Sequence, residues 1–210
     1  MLVKSLTFIL SLVYLYAETP LRPVSTYSIV ALDEQTGQLG VAVQSHWFSV
    51  GTVVPWAKAG VGAVATQSIA EPSYGPKGLA LMEQGIPADE ALQSLLAKDI
   101  GKNVRQVAMV DAQGNVGAHT GSRCISHAGH LTGKNFSVQA NIMAKSTVPS
   151  AMVRAFESTR GDLAERMLAA LDAAEAEGGD LRGRQSASML VVSGEPTGDP
   201  WTDRIVDLEI

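Results

Sequence analysis

TYSIVALDEQTGQLGVAVQS, residues 26–45, is the stretch on which the fold turns. Two runs rich in strand-forming residues, TYSIVAL and LGVAVQS, flank the polar segment DEQTGQ. Asp33 and Gly37 mark a turn there, so the stretch reads as a β-hairpin. Thr26 opens its first strand, and β-branching suits that position. A threonine has a second use when it begins a chain. Its hydroxyl is a poor nucleophile without a neighbouring base, but its own α-amine, with an ordinary pKa of about 7.7–8.0, can serve as one. Local sequence alone favours the plain strand residue.

Downstream, VGTVVPW reads as another extended piece ended by Pro55, and AGVGAVATQS as a buried strand. The period then changes. GLALMEQG is a short helix stopped by Gly85. PADEALQSLLAKDIG is a second, with Pro87 and Asp89 at its start and Gly101 beyond its end. Ala91, Leu92, Leu95 and Leu96 share its apolar face. VRQVAMVDAQGNVGAHTG gives two strands around a DAQGN turn, and NFSVQANIM gives another. TVPSAMVRAFEST and GDLAERMLAALDAAEAEGG form a second helical block closed by Gly178 and Gly179. SASMLVVSG and DRIVDLEI finish the chain as strands. Strands therefore alternate with paired helices, and hairpins favour antiparallel pairing. Two facing sheets with helix pairs outside satisfy this order. So does a single antiparallel sheet with helices on one side.

Upstream, the sequence changes character. MLVKSLTFILSLVYLYA carries Lys4, an apolar run from Leu6 to Tyr16, and then Ala17. The run is shorter than the roughly 20 residues a bilayer span needs. A basic start, a short apolar stretch and a small residue describe a secretory signal peptide. Residues 1–24 are thus expected to be a leader and residues 25–210 a single domain. A true leader implies export to the periplasm or beyond the cell; otherwise the cytoplasm is expected.

The 210 residues carry a net charge of −5, which disfavours non-specific nucleic-acid binding. Aromatics make up only 5%, so the core relies on small and β-branched side chains. Cys124 is the single cysteine, which excludes an internal disulfide.

Reactive side chains concentrate in GAHTGSRCISHAGH, which holds His119, Cys124, His127 and His130, three of the four histidines among them. The spacing matches no zinc signature. A Cys–His pair and a polar inter-strand loop are the other readings, the loop being the commoner outcome. GGDLRGRQSA places Arg182 and Arg184 in a glycine-rich turn, where an arginine can hold a carboxylate with two parallel hydrogen bonds. SVQANIM sets Gln139 and Asn141 on one strand face, where an amide can donate to an oxyanion. VQSHWF ends a strand with Ser45 and His46, placed to reach a loop-lined mouth. EPSYGPKG, with Glu71, Tyr74 and Lys77, reads as a turn entering a helix. No G-x-S-x-G elbow, phosphate loop or dinucleotide fingerprint appears, which disfavours nucleotide and hydride chemistry.

Taken in order, TYSIVALDEQTGQLGVAVQS, VVPWAKAGVGAVATQS, YGPKGL, AHTGSRC, AGH, SVQANIM and GGDLRGRQSASMLVV resemble the domain of unknown function 1028 family, from Thr26 to about Val192. That family is grouped with the N-terminal-nucleophile (Ntn) hydrolases. The resemblance implies an α+β fold, the four-layer α-β-β-α sandwich of two mainly antiparallel sheets. It also implies amide-bond cleavage with Thr26 as nucleophile and its α-amine as base. Asn141 would then stabilise the oxyanion, Arg184 would bind a carboxylate, and His119, His46 and Gln139 would shape the pocket. Neither metal nor organic cofactor is expected, and the partner is a small or peptide-like substrate. Paired helices and a low-charge surface are compatible with a homodimer. The amine is blocked while the peptide bond from Ser25 to Thr26 is intact, so cleavage there is a condition of the mechanism. The rival is a catalytically silent sandwich that binds a small ligand or a cell-wall fragment.

Overall fold

The computed structural model describes residues 26–210. The expected leader, residues 1–24, and Ser25 lie outside the described residues. The opening hairpin forms as read: β1 (Thr26–Leu32) pairs antiparallel with β2 (Leu39–Ser45), Thr26 opposite Ser45. Asp33 shapes the turn by accepting from the backbone N–H groups of Gln35 and Thr36, and Gly37 takes φ +71°.

All seven residues of β1 are buried, which requires cover on both faces. Side chains alternate along a strand. Tyr27, Ile29 and Ala31 enter one apolar cluster with α3 (Val148–Ser158) and α4 (Leu163–Ala176). Val30 and Leu32 enter a second cluster with Ala63, Ala65, Ala108 and Val110. Those residues belong to β4 (Gly62–Ser68) and β5 (Arg105–Asp111). A third cluster packs α1 (Tyr74–Glu83) and α2 (Ala88–Leu96) on the far face of β4 and β5.

The result is four layers: a helix pair, a six-stranded sheet, a four-stranded sheet and a second helix pair. The larger sheet runs β10-β9-β2-β1-β8-β7, with β7 (Gly129–Gly133), β8 (Phe136–Asn141), β9 (Ser186–Val192) and β10 (Arg204–Glu209). The smaller runs β3-β4-β5-β6, with β3 (Pro55–Lys58) and β6 (Val116–Thr120). Every strand pairing is antiparallel. The single-sheet alternative is thereby overturned, and the fold is the α+β sandwich.

Small side chains permit the close layering. A Cβ on Gly75 of α1 would strike the Trp56 ring of β3. Helix α4 starts at a complete capping box, Asp162 and Glu165 each bonding the other's backbone N–H.

Two local expectations are corrected. VGTVVPW is not one extended piece ended by Pro55. It contains a 3₁₀ turn over Val50–Thr52, and β3 begins at Pro55. The Thr52 hydroxyl donates to the Ser49 carbonyl and the Val50 N–H to the Ser186 hydroxyl, an alternative to ladder pairing. Proline, lacking an N–H, fits the first position of an edge strand. The polar loop reading of GAHTGSRCISHAGH also fails in part, since β7 begins inside it and pairs with β8. Among the described residues, no helix is long and apolar enough to cross a membrane.

Candidate functional site

Where the two sheets face each other, the apolar cluster gives way at one end to buried polar side chains. Register brings them together. Thr26 lies between Ser45 and Asn141, and Ser28 lies opposite Gln139, which in turn lies opposite His130. Across the gap, Gln67 of β4 lies opposite Gln106 of β5, and Gln106 opposite Thr120 of β6. Thr26, Ser28, Ser45, Gln67, Gln106, Ser137, Gln139 and Asn141 are all buried.

Burial of this many polar groups demands partners, and they bond across the gap. The Ser28 hydroxyl donates to Gln67 Oε1 at 2.6 Å and accepts from Gln139 Nε2 at 2.7 Å. Gln67 Nε2 donates to Gln106 Oε1 at 2.8 Å and to the Thr26 carbonyl at 3.3 Å. Gln106 Nε2 donates to Thr120 Oγ1 at 2.9 Å and to the carbonyls of Gly129 and Ala140. The Thr26 hydroxyl donates to Ser45 Oγ at 3.1 Å.

These bonds decide the role open to Asn141. Two backbone carbonyls accept from Gln106, so its nitrogen must face them and its Oε1 must face Asn141. Asn141 Nδ2 therefore points at Gln106 Oε1, at 2.9 Å, and at the Thr26 carbonyl, at 3.4 Å. Its Oδ1 is buried and finds no partner among the described residues. The oxyanion role expected of Asn141 needs a free donor. The structure leaves it a free acceptor instead, beside the first residue of β1.

The chain leaves this region under backbone strain. Ser68, just after Gln67, has φ +70°, and Ile142, just after Asn141, has φ +58°. A β-branched residue in that region is a true outlier, and such strain persists where the surroundings enforce it.

At its outer end the network reaches the surface. Thr120 Oγ1 lies 2.8 Å from His130 Nδ1. Both line a depression of about 590 Å³ that also includes Cys124, His127 and Ser146. Burial, assisted by the neighbouring His119, lowers the His130 pKa and favours its neutral ring. Cys124 Sγ contacts the Arg105 carbonyl at 3.3 Å. Among the described residues, no three His, Cys, Asp or Glu side chains group as a metal site.

The other expected site residues divide. Gln139 joins the network with both amide atoms engaged, its Oε1 accepting from Ser137. His119 lies opposite Val107, on the helix side of β6, and its Nε2 lies 2.8 Å from the Lys102 carbonyl. Strand alternation thus turns it away from Thr26. Arg184 lies toward the helix side of the large sheet, three-quarters exposed, with Nε 3.4 Å from Glu175. His46 follows β2. Its N–H donates to Asp180, and its Nδ1 is buried without a partner among the described residues. Gln67 and Gln106 are missing from the sequence-based site. Their signal is a polar residue in phase with inward alanines, Gln67 with Ala63 and Ala65, and Gln106 with Ala108.

The model of a family of unknown function, DUF1028, matches residues 26–210, beginning at Thr26 itself. The chain belongs to this family. A crystal structure of another DUF1028 protein, SPO2555 from Silicibacter pomeroyi, shares the fold with a TM-score of 0.79. The two are 32% identical, over 89% of this chain and 78% of that one. No curated protein matches the chain at a significant level.

Proposed function

We propose that the protein is an N-terminal-nucleophile amidohydrolase acting on a small or peptide-like amide once the bond between Ser25 and Thr26 is cut. The observation that carries this reading is Thr26 at the head of a central strand, facing the inter-sheet polar network beside an Asn141 oxygen with no partner among the described residues. A buried acceptor beside the freed terminus suits an amine, which would donate to it. The strained residues after Gln67 and Asn141 add support.

Thr26 Oγ1 bonds to the substrate carbonyl carbon while its proton passes to the Thr26 α-amine. That proton then moves to the departing amine as the C–N bond breaks, leaving an ester on Thr26. Water, deprotonated by the same α-amine, cleaves the ester and restores the hydroxyl. Asn141 Oδ1 orients the amine, and backbone N–H groups are left to hold the oxyanion. His130, neutral and connected through Thr120 and Gln106, lines the approach from the surface depression.

One observation favours the rival, a silent domain that binds a small ligand or cell-wall fragment: the Thr26 side chain is fully buried. Assaying N-acyl amino acids, short peptides and muropeptides with chain whose terminus has been mapped by mass spectrometry separates the two. The hydrolase reading expects turnover only from chains that begin at Thr26. It fails if such chains turn over none of these amides, or if Thr26→Ala leaves turnover intact.

A further inference from the structure

A second cavity, on the opposite face of the large sheet, is independent of Thr26 chemistry. It has a volume of about 300 Å³, at the small end of the range for ligand sites. Its lining includes Tyr27, Gln44, Leu168, Leu171, Glu175 and Arg184. Gln44 lies opposite Tyr27 in the β1–β2 ladder and opposite Ala187 in the β2–β9 ladder, so the three share the face turned toward α4.

Gln44 is the anomaly. It is only 6% exposed, yet neither its Nε2 nor its Oε1 has a hydrogen-bond partner among the described residues. Its neighbours are satisfied. The Tyr27 hydroxyl donates to Glu175 Oε2 at 2.9 Å, and Arg184 Nε lies 3.4 Å from Glu175 Oε1. Burial, reinforced by Glu175, keeps the Tyr27 phenol protonated. An amide with both ends idle lowers the stability of the free protein. A strand position turned toward an aliphatic helix face gains more from Leu or Met at the same volume.

The shape of that unused capacity defines a ligand. Gln44 offers one donor and one acceptor side by side, the complement of a primary carboxamide. A carboxylate offers two acceptors and would set an oxygen against Gln44 Oε1. The wall holds two carboxylates, Asp172 and Glu175, against the one guanidinium of Arg184, which favours a cationic group over an anionic one. Leu168, Leu171 and Ile210 supply an apolar side.

We propose that this cavity binds a small aliphatic amino-acid amide, its carboxamide paired with Gln44, its ammonium beside Asp172 and its side chain against Leu168, Leu171 and Ile210. Calorimetric titration of the full chain with L-leucinamide tests this, with L-leucine as the control and recovery of intact leucinamide checked by chromatography. Saturable binding of leucinamide, and none of leucine at equal concentration, is the expected result. Gln44→Met should weaken leucinamide binding by about tenfold or more, the equivalent of one good hydrogen bond. The same variant should melt at a higher temperature than the unliganded parent. That rise shows that it folds, so lost binding cannot be blamed on misfolding. Asp172→Asn should weaken binding by a smaller factor. Absence of leucinamide binding, equal binding of leucine, or unchanged binding in Gln44→Met overturns the proposal. None of these results depends on whether Thr26 is a nucleophile.

Discussion

The space between the two sheets has two unlike ends built on the same strands. At one end, Val30, Leu32, Leu39, Val41 and Val43 meet Ala63, Ala65, Ala108 and Val110 in an aliphatic seam. At the other, Thr26, Ser28 and Ser45 meet Gln67 and Gln106 across hydrogen bonds. Strand pairing, facing direction and burial are shared, and only the side-chain chemistry changes. The aliphatic end gains stability from every methyl it removes from water. The polar end returns only the modest net gain of exchanged hydrogen bonds, and it is intolerant of a missing partner. A fold needs only the first kind of end. The second leaves one buried acceptor, Asn141 Oδ1, without a partner among the described residues.

That contrast can be broken at several points. The largest effect is expected from Thr26→Ala in chain that begins at residue 26. Loss of the nucleophile should cut amide turnover by about 10⁴-fold or more, with the circular-dichroism spectrum kept and the melting temperature lowered only by loss of the Thr26–Ser45 hydrogen bond. Next comes Gln106→Leu, which deserts five groups at once: the Gly129 and Ala140 carbonyls, Thr120 Oγ1, Gln67 Nε2 and Asn141 Nδ2. Urea unfolding should show a loss of about 2–4 kcal/mol. Val41→Thr, near-isosteric in the aliphatic seam, buries a hydroxyl where only apolar groups surround it. It should cost about 1–3 kcal/mol by the same measurement.

The smallest effect is one of pH. Burial depresses the His130 pKa in the folded state below its ordinary 6.5. Above 6.5 the ring is neutral folded or unfolded, and its contribution is fully present. As pH falls through 6.5 toward the folded value, the unfolded chain binds the proton first, so stability declines. Melting temperature should therefore fall between pH 7 and 5, and His130→Asn should flatten part of that slope. An unchanged slope in that variant would remove His130 as its source.

The same two ends explain what was legible beforehand. The aliphatic seam follows from strand periodicity, and the hairpin from Asp33 and Gly37, because alternation and turn chemistry are local. Whether the strands made one sheet or two was not local, since it depends on which face each helix pair covers. The polar end was half visible. Gln139 and Asn141 sit two apart on one strand and invite pairing by eye. Gln67 and Gln106 lie 39 residues apart and become neighbours only through the β4–β5 ladder. His119 shows the converse. Proximity in sequence to His127 and His130 suggested a cluster, yet one step of strand alternation sends it to the helix side, opposite Val107. The direction of the Asn141 amide is illegible in sequence for a subtler reason. The orientation of one amide is fixed by another, Gln106, which is fixed in turn by two backbone carbonyls.

The central claim is that Thr26 works only as a free terminus, and one comparison of rates tests it directly. Amide turnover is measured for two preparations of the same protein, one beginning at Thr26 and one beginning at Ser25, each verified by intact mass. The account predicts turnover in the first and none above background in the second. Equal turnover in both would contradict it, because a threonine whose nitrogen is held in a peptide bond has no amine to act as the base.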